Sequence, residues 1–564
     1  MRSFAIVASM CVAAVCGCSK KNGQGTKADY IEADLPDIVT IPASTFGSDV
    51  SVTIVAPGEP LSVTCNEGWA GIVGGSADCQ QGEDLSFKLW AEPNFSKSRR
   101  NGEILVTGLV TGVTTPLEIT QAPYFKEIKD GFPARFESKT SDNSQWVLKG
   151  VCSPAGSTAV LTVVGVNGNE LKLNADSGPS VAGLAEGDYL LYAVPVVKAE
   201  AGRQFDFMCT IDAQAENSPK YFIFEYWDDG QWKTVEKDLR IAEEDGKTKY
   251  SFYNKFFSSV YYTCFTQTFQ ITKPVENDCI KVRLRVVGNW TGSGTTLSAK
   301  GSSGGTFIPA AGQHMGMYLI TYENAPKVKD TKKFLFVGNS MTYYYATHFM
   351  FKEIARSQGH QVESVVATKG SQTFGNHIVL ERSQEAIKRG GYDYAFLQDE
   401  DMRSAEYELK GTAEILNSFR TLVGQVRAAS PNCHVIYERN WAYSKNEYQG
   451  YGSFENYDRL LKAGAEKLVR DLGDPDVEIS HIGEGFRVAR ETKWPEIGNR
   501  GLDLLYSDGL HQSRGGAYMK ACMNYLLIYG EEYDSNMPDC GLSPTEASMI
   551  RKIALQVVPV GKKN

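Results

Sequence analysis

Two kinds of hydrophobic spacing divide the chain. Up to about residue 326, apolar and polar residues alternate in short runs that glycine and proline separate. From residue 327 onward, apolar runs of strand length alternate with segments of helical spacing. A period of two predicts half-buried strands, whereas alternating strands and helices predict a parallel sheet covered by helices. The pattern therefore predicts β domains followed by one α/β domain.

The first β segment spans residues 29–123. Alternating runs at residues 85–90 and 104–107 are typical of an all-β sandwich. Its end, residues 99–108 followed by residues 117–123, resembles the BACON module of Bacteroidetes surface glycan proteins. That resemblance implies either a carbohydrate-binding module or a spacer, and we expect a spacer.

The second β segment spans residues 124–326 and predicts a larger, jelly-roll-like sandwich. It is rich in aromatic residues, which either pack in a core or form a platform on which sugar rings stack. Carbohydrate binding is therefore one of two roles left open for this domain. The residues concerned are Trp227, Trp232, Tyr250, Phe252, Tyr253, Tyr261, Tyr262 and Trp290.

The third segment, residues 327–564, alternates strand and helix about five times. This predicts a three-layer, flavodoxin-like α/β domain with a parallel sheet. The predicted strands are residues 333–337, 362–368, 392–397, 434–437 and 477–482. The first predicted helix follows Gly338 and ends near residue 358. Four more are predicted at about residues 378–389, 407–430, 457–472 and 514–529.

The N-terminus has the pattern of a bacterial secretory signal. Arg2 precedes a short apolar run, and the run ends in Val15-Cys16-Gly17-Cys18, which resembles a lipobox. We expect residues 1–17 to be removed, Cys18 to be lipidated and residues 18–28 to form a tether. The implied location is the outer membrane, on its periplasmic or surface face. An ordinary cleaved signal is the alternative.

Charge and hydropathy exclude two classes of partner. With 58 basic and 67 acidic residues the formal charge is −9, which argues against a nucleic-acid binder. No second apolar run approaches the ~18 residues of a membrane-spanning helix, so the expected membrane contact is the N-terminal lipid alone.

Candidate chemistry lies where predicted strands end, because sites in open parallel sheets form there. Gly338-Asn339-Ser340 follows the first strand, and a serine at this point starts a helix, either as a nucleophile or as a simple cap. Asp508 precedes His511 by three residues in a loop before the last predicted helix, where a carboxylate can orient a general base.

Two further loops offer donors for an oxyanion. Gly370 follows the second strand and Gln398 follows the third. Each alone would be an ordinary loop between strand and helix, but the four motifs occur at successive positions where a site is expected.

This order of motifs resembles the SGNH (GDSL-like) hydrolase family over about residues 327–559. The resemblance implies that Ser340 is the nucleophile, His511 the base and Asp508 its partner, with the N–H groups of Ser340 and Gly370 in an oxyanion hole. The third block departs from the family, since Leu-Gln-Asp-Glu stands in place of Gly-x-Asn-Asp. This resembles a Bacteroidetes subgroup with Gly-Asn-Ser and Leu-Gln-Glu signatures. Gln398 is therefore our candidate for the third donor.

The expected function is an exported esterase that removes O-acetyl or similar groups from an acylated polysaccharide or oligosaccharide. Asn339, Asn440 and Trp441 are expected to line the substrate cleft, although Trp441 has packing as its alternative. The resemblance implies no metal and no cofactor. Two other functions stay open, a glycan-binding lipoprotein with an inactive hydrolase domain and a lipase or thioesterase.

Overall fold

The fold is taken from a computed structural model that describes residues 31–560 with gaps. The predicted signal and tether, including Cys18, lie outside the described residues. The gaps are residues 32, 44–46, 95, 97, 124–134, 138–145, 150–157, 169–170, 175–179, 214–216, 236–239, 245–246, 254–262, 292–294, 299, 308–316, 322–325, 444–449, 532, 534–536 and 559.

The first β segment forms a five-stranded sheet (order β1-β8-β7-β3-β5) and a three-stranded sheet (order β2-β6-β4). Along β6, Leu85, Phe87 and Leu89 point inward while the residues between them are exposed, as the alternating pattern predicts. The strands are β1 Ile38–Ile41, β2 Gly47–Ile54, β3 Leu61–Cys65, β4 Ala70–Ile72, β5 Ser76–Cys79, β6 Leu85–Ala91, β7 Arg100–Gly108 and β8 Thr114–Gln121.

The second β segment forms two larger sheets, of eight and seven strands, around one apolar core. The strands are β9 Arg135–Glu137, β10 Trp146–Lys149, β11 Thr158–Val164, β12 Lys172–Asn174, β13 Ser180–Ala182, β14 Tyr189–Ala199, β15 Gln204–Ala213, β16 Tyr221–Asp228, β17 Gln231–Thr234, β18 Arg240–Glu244, β19 Lys247–Tyr253, β20 Thr263–Gln270, β21 Val275–Val286, β22 Thr306–Phe307 and β23 Met317–Thr321.

The aromatic residues of this domain are only partly described. Trp227 and Trp232 meet edge to face with 5.3 Å between ring centroids. Lys281 lies over the first ring and Arg283 over the second, so both rings make contacts within the domain. These contacts favour packing over a sugar platform for this pair. Trp290 is half-buried. The side chains of Tyr250, Phe252, Tyr253, Tyr261 and Tyr262 lie outside the described part.

The predicted parallel sheet of the third segment is confirmed, with strand order β25-β24-β26-β27-β28. This is the flavodoxin-like order, in which ligands bind beyond the carboxyl ends of the strands. The strands are β24 Asp330–Gly338, β25 His360–Thr368, β26 Tyr394–Leu397, β27 His434–Tyr437 and β28 Val477–Ile479. The helices are α1 Ser340–Tyr343, α2 Thr347–Ser357, α3 Phe374–His377, α4 Glu381–Arg389, α5 Arg403–Lys410, α6 Ala413–Ala429, α7 Phe454–Leu472, α8 Ile482–Glu491, α9 Arg514–Tyr529 and α10 Pro544–Val557.

Three details of the predicted helices are wrong. The helix predicted over residues 407–430 is two helices, because Gly411 takes a positive φ of 61° and ends α5. Residue 482 begins α8 instead of ending a strand, and neither α8 nor α10 is predicted by the sequence pattern. Within the described residues, no helix combines the length and the apolar character needed to cross a membrane.

The second sandwich packs directly on the α/β domain beside α1. Met208, Tyr318 and Ile320 form a buried cluster with side chains from the segment that follows Ser340. Lys352 on α2 forms an ion pair with Asp206 on β15, with 3.1 Å between Nζ and Oδ1 and exposures of 4% and 0%. The start of the α/β domain is therefore fixed on the sandwich by both apolar and charged contacts.

Candidate active site

Ser340 lies where β24 ends and α1 begins. The last residues of β24 are buried, and Asn339 caps the helix by accepting the N–H of Met341 at 3.0 Å. A side chain at position 338 would collide with Thr342 Oγ1 and would lie 2.6 Å from Gln398 Oε1, so the turn requires glycine there. The backbone thus presents the Ser340 hydroxyl at the carboxyl edge of the sheet.

His511 and Asp508 belong to one short loop before α9. Asp508 Oδ1 accepts the N–H groups of Leu510 and His511, at 2.9 and 3.0 Å, and Gly509 takes a positive φ of 74°. The other carboxylate oxygen of Asp508, Oδ2, accepts from Nδ1 of His511 at 2.7 Å. The same carboxylate therefore shapes the turn and orients the imidazole.

The loop and the α1 turn meet although 171 positions separate their residues. His511 Nε2 lies 2.7 Å from Ser340 Oγ. Because Nδ1–H donates to the carboxylate of Asp508, Nε2 is left to accept the proton of the Ser340 hydroxyl. Burial by itself would raise the pKa of Asp508, but hydrogen bonds from the His511 side chain and from two backbone N–H groups hold it below its ordinary value. The partner of His511 is thus a carboxylate at neutral pH.

Two aromatic residues hold the imidazole loop. The ring of Tyr344 stacks on His511, with 4.1 Å between centroids and 15° between planes. Trp441 Nε1 donates to the carbonyl oxygen of Leu510 at 3.0 Å, and the indole stacks on Phe486 with 4.3 Å between centroids. Trp441 is 1% exposed and packs under the loop, and packing is the alternative that the sequence left open for it.

Gln398, the predicted third oxyanion donor, makes hydrogen bonds to the Ser340 turn and to its own strand end. It is fully buried, and its Oε1 accepts the N–H of Asn339 at 2.9 Å and the hydroxyl of Thr342 at 3.0 Å. Its amide nitrogen donates to the carbonyl oxygen of Asp399. The side chain therefore holds the end of β26 against the Ser340 turn, and its role as an oxyanion donor stays a prediction.

The loop of Gly370 lies beside the same turn. Lys369 N–H donates to the Gly338 carbonyl at 3.1 Å, and Asn339 Nδ2 donates to the carbonyl of Gln372 at 3.2 Å. Gly370 itself is buried, two residues beyond the end of β25. The loop of Gly370 and the Ser340 turn are thus joined by two hydrogen bonds.

The two asparagines predicted for the cleft are nearly buried. Asn339 makes the contacts given above, and Asn440 Nδ2 donates to the carbonyl of Asp399 at 3.1 Å. Both hold strand-end loops together. Among the described residues, no group of three His, Cys, Asp or Glu side chains is arranged to hold a metal ion.

Sequence reasoning missed three polar residues next to the site. Asp399 accepts the N–H groups of Phe374 and Glu400, both at 2.9 Å, and burial raises its pKa to about 7 against those hydrogen bonds. Gln512 and Lys520 contact α1 from the imidazole loop and from α9. Gln512 directly follows His511, and Lys520 is an isolated cation in an apolar helix, so both carried a signal.

Comparisons with known proteins give only distant structural likeness. No protein-family model matches the chain, and no curated protein sequence matches it. The chain is similar to the lipase Lip_vut3 from a goat rumen metagenome, with 12% identity over 36% of this chain and 99% of that one and a TM-score of 0.27. It is also similar to a family two carbohydrate esterase from Clostridium thermocellum, with 9% identity, coverage of 63% and 94% and a TM-score of 0.24. A Parabacteroides merdae protein described as a GDSL-like lipase shares 17% identity, with coverage of 36% and 99% and a TM-score of 0.26. All three scores are low, so the function is inferred below from the residues of this chain.

Proposed function

We propose that residues 327–564 form a serine esterase of the SGNH type. The observation that carries this proposal is the pair of 2.7 Å contacts that joins Asp508 to His511 and His511 to Ser340. A hydroxyl, an imidazole and a carboxylate in this order are the parts that nucleophilic acyl transfer requires.

The reaction runs through an acyl-enzyme. Ser340 Oγ attacks the ester carbonyl while Nε2 of His511 takes the hydroxyl proton, and the resulting imidazolium returns that proton to the departing alcohol. Water then attacks the acyl carbon and loses a proton to His511. The bond between Ser340 Oγ and the acyl group breaks as His511 gives this proton to Oγ, which releases the acid and restores the Ser340 hydroxyl. The N–H groups of Ser340 and Gly370 are our candidates to bind the oxyanion, since Ser340 is the first residue of a helix and Gly370 lies in the neighbouring loop.

The proposed substrate is a polysaccharide or oligosaccharide that carries O-acetyl or other small acyl groups. The support is the architecture, two β modules joined to the hydrolase domain on a chain with a lipoprotein-type N-terminus. We also propose that Cys18 anchors the mature protein in the outer membrane. Replacement of Cys18 by alanine should move the protein from the membrane fraction to the soluble fraction, and a protein that stays in the membrane would contradict the anchor.

The decisive experiment removes the nucleophile. Ser340→Ala in the full chain should abolish hydrolysis of p-nitrophenyl acetate while leaving the fold intact. Ser453→Ala is the control for removal of a serine hydroxyl, because Ser453 caps α7 and belongs to no part of the site. This control should lose about 1 kcal/mol of capping energy and keep its activity, so only Ser340→Ala should be inactive. Retention of the rate by Ser340→Ala overturns the proposal.

The same inactive variant separates the esterase from a glycan-binding protein without activity. Wild-type protein should release acetate from acetylated xylans, pectins or host glycans, and the panel identifies the substrate. Retention of glycan by both wild type and Ser340→Ala in affinity electrophoresis, with no acetate released, would favour the binding protein instead.

A further inference from the structure

The helix that carries Ser340 is only one turn long. α1 ends at Tyr343, and the next three residues form a 3₁₀ turn in which Tyr345 and Ala346 have positive φ values of 55° and 54°. The last carbonyl groups of any helix lack partners within it. In α1 the carbonyl oxygen of Ser340 accepts the N–H of Tyr344, whereas the carbonyl of Met341 is bonded by side chains from other elements. The backbone that follows Ser340 therefore depends on hydrogen bonds from elsewhere.

Two buried side chains supply those hydrogen bonds. Lys520 Nζ donates to the carbonyl oxygen of Met341 at 2.5 Å. Gln512 Nε2 donates to the same oxygen at 3.0 Å and to the carbonyl of Tyr344 at 3.3 Å. Met341 directly follows Ser340 and Gln512 directly follows His511. These contacts therefore join the segment that carries Ser340 to the loop that carries His511.

Lys520 is held in place by its own partners on two elements. Its Nζ lies 3.6 Å from Oε2 of Glu438, just beyond β27, and the two side chains are 1% and 3% exposed. Asn524, one turn further along α9, donates to the other oxygen of Glu438 at 3.2 Å. Burial lowers the pKa of Lys520 from its ordinary value, and the charge of Glu438 opposes that shift. A fully buried ion pair is weak evidence for stability, since apolar residues often replace one without loss.

We propose that Lys520 and Gln512 are positioning residues for the esterase reaction, which fix Ser340 against His511 by capping the carbonyl groups of the one-turn helix. This inference rests on the proposed function. Loss of either cap lets the Met341 peptide turn away, which moves the nucleophile relative to its base. A displacement of about 1 Å in a catalytic group can lower the rate a hundredfold.

The test compares Lys520→Met with the double variant Lys520→Met/Glu438→Gln and with Lys352→Met. Lys352 is the matched control, a second buried lysine of this domain whose ammonium group bonds Asp206 and Thr268 of the sandwich. The measurements are kcat and KM for p-nitrophenyl acetate, the melting temperature, and the rate at which a fluorophosphonate probe labels Ser340, followed by intact mass. The probe reports the reactivity of the serine whatever acyl group the enzyme prefers.

We expect Lys520→Met to lower kcat and the labelling rate at least tenfold with KM changed less than twofold. In the double variant the melting temperature should recover and the low rates should persist. Lys352→Met should lower the melting temperature without a comparable loss of rate. Gln512→Leu should act in the same direction as Lys520→Met.

Each contrary result is decisive. Wild-type rates in Lys520→Met, recovery of the rates together with stability in the double variant, or an equal loss of rate in Lys352→Met overturns the positioning role. If wild-type protein is labelled but hydrolyses no ester, the proposed function fails and the labelling rates alone decide the inference. If wild-type Ser340 is not labelled, both proposals fall.

Discussion

The phenol ring of Tyr344 lies nearly parallel to the imidazole of His511, with 4.1 Å between the ring centroids. The two residues come from different loops, and Tyr344 is the residue that directly follows α1. In the proposed reaction His511 becomes an imidazolium when it takes the proton of Ser340, and an aromatic face attracts a cation.

Tyr344→Leu should therefore lower kcat, whereas Tyr344→Phe should not. Aromatic pairs contribute about 0.5–1.5 kcal/mol beyond simple burial, which corresponds to a loss of roughly 2- to 13-fold. Steady-state kinetics with p-nitrophenyl acetate measure the effect, and KM should change little because the ring contacts the base. A loss of equal size in Tyr344→Phe would show that the hydroxyl, not the ring face, matters.

Asp508→Asn should separate the two roles of this side chain. An amide oxygen can still accept the N–H groups of Leu510 and His511, so the turn should persist. Its NH₂ group cannot accept from Nδ1 of His511, and the imidazole then presents the wrong tautomer to Ser340. We expect kcat at neutral pH to fall by about 10³–10⁴ with an unchanged melting temperature. A residual rate above a tenth of wild type would exclude the orienting role.

The sequence predicted that Ser340 and His511 would meet at one edge of the sheet, because a general rule of topology applies to them. Ser340 follows the first strand of a parallel sheet, and the strand order places its loop beside those of β25 and β26. Which strand-end residues face solvent and which fasten the loops depends on side-chain directions, which no spacing shows. Gln398 illustrates this. Its side-chain oxygen accepts the N–H of Asn339, and the sequence does not show which way that oxygen points.

The helix boundaries failed for local reasons. The spacing predicts one long amphipathic helix that includes Gly411, although a left-handed glycine ends a helix readily.

Lys520 and Asn524 are spaced four residues apart in an apolar helix, a pattern that places both on one face. Their partner Glu438 lies 82 and 86 positions away, so the network required the structure.

The buried carboxyl of Asp399 should make stability depend on pH. Its pKa is raised to about 7 by burial, from an ordinary value of 3.8, so between these values the folded chain binds a proton that the unfolded chain has lost. Stability therefore falls as pH rises from about 4 to about 7 and changes no further above that range. The expected loss between pH 5 and pH 8 is about 2–3 kcal/mol.

Asp399→Asn removes this titration while keeping an oxygen for the N–H of Phe374. Urea unfolding at pH 5 and pH 8 should show a smaller pH dependence in the variant than in wild type. Some dependence should remain, because burial and the neighbouring Glu400 also raise the pKa of Asp401, to about 8. An unchanged pH dependence in Asp399→Asn would show that the carboxyl is ionised when folded.

The contact between the second sandwich and the α/β domain should contribute to the free energy of unfolding. Tyr318 on β23 and Phe349 on α2 are fully buried, with 5.8 Å between ring centroids and 52° between planes. A double-mutant cycle with Tyr318→Ala, Phe349→Ala and the combined variant isolates their coupling, since each substitution alone also leaves a cavity. We expect a coupling of about 0.5–1.5 kcal/mol from calorimetry on the full chain.

A pair within the sandwich, Phe207 and Phe224, has 5.2 Å between ring centroids and gives the reference value for a contact inside one domain. If the coupling free energy is zero for Tyr318 and Phe349 but not for Phe207 and Phe224, the sandwich is a spacer that contacts the α/β domain without stabilising it.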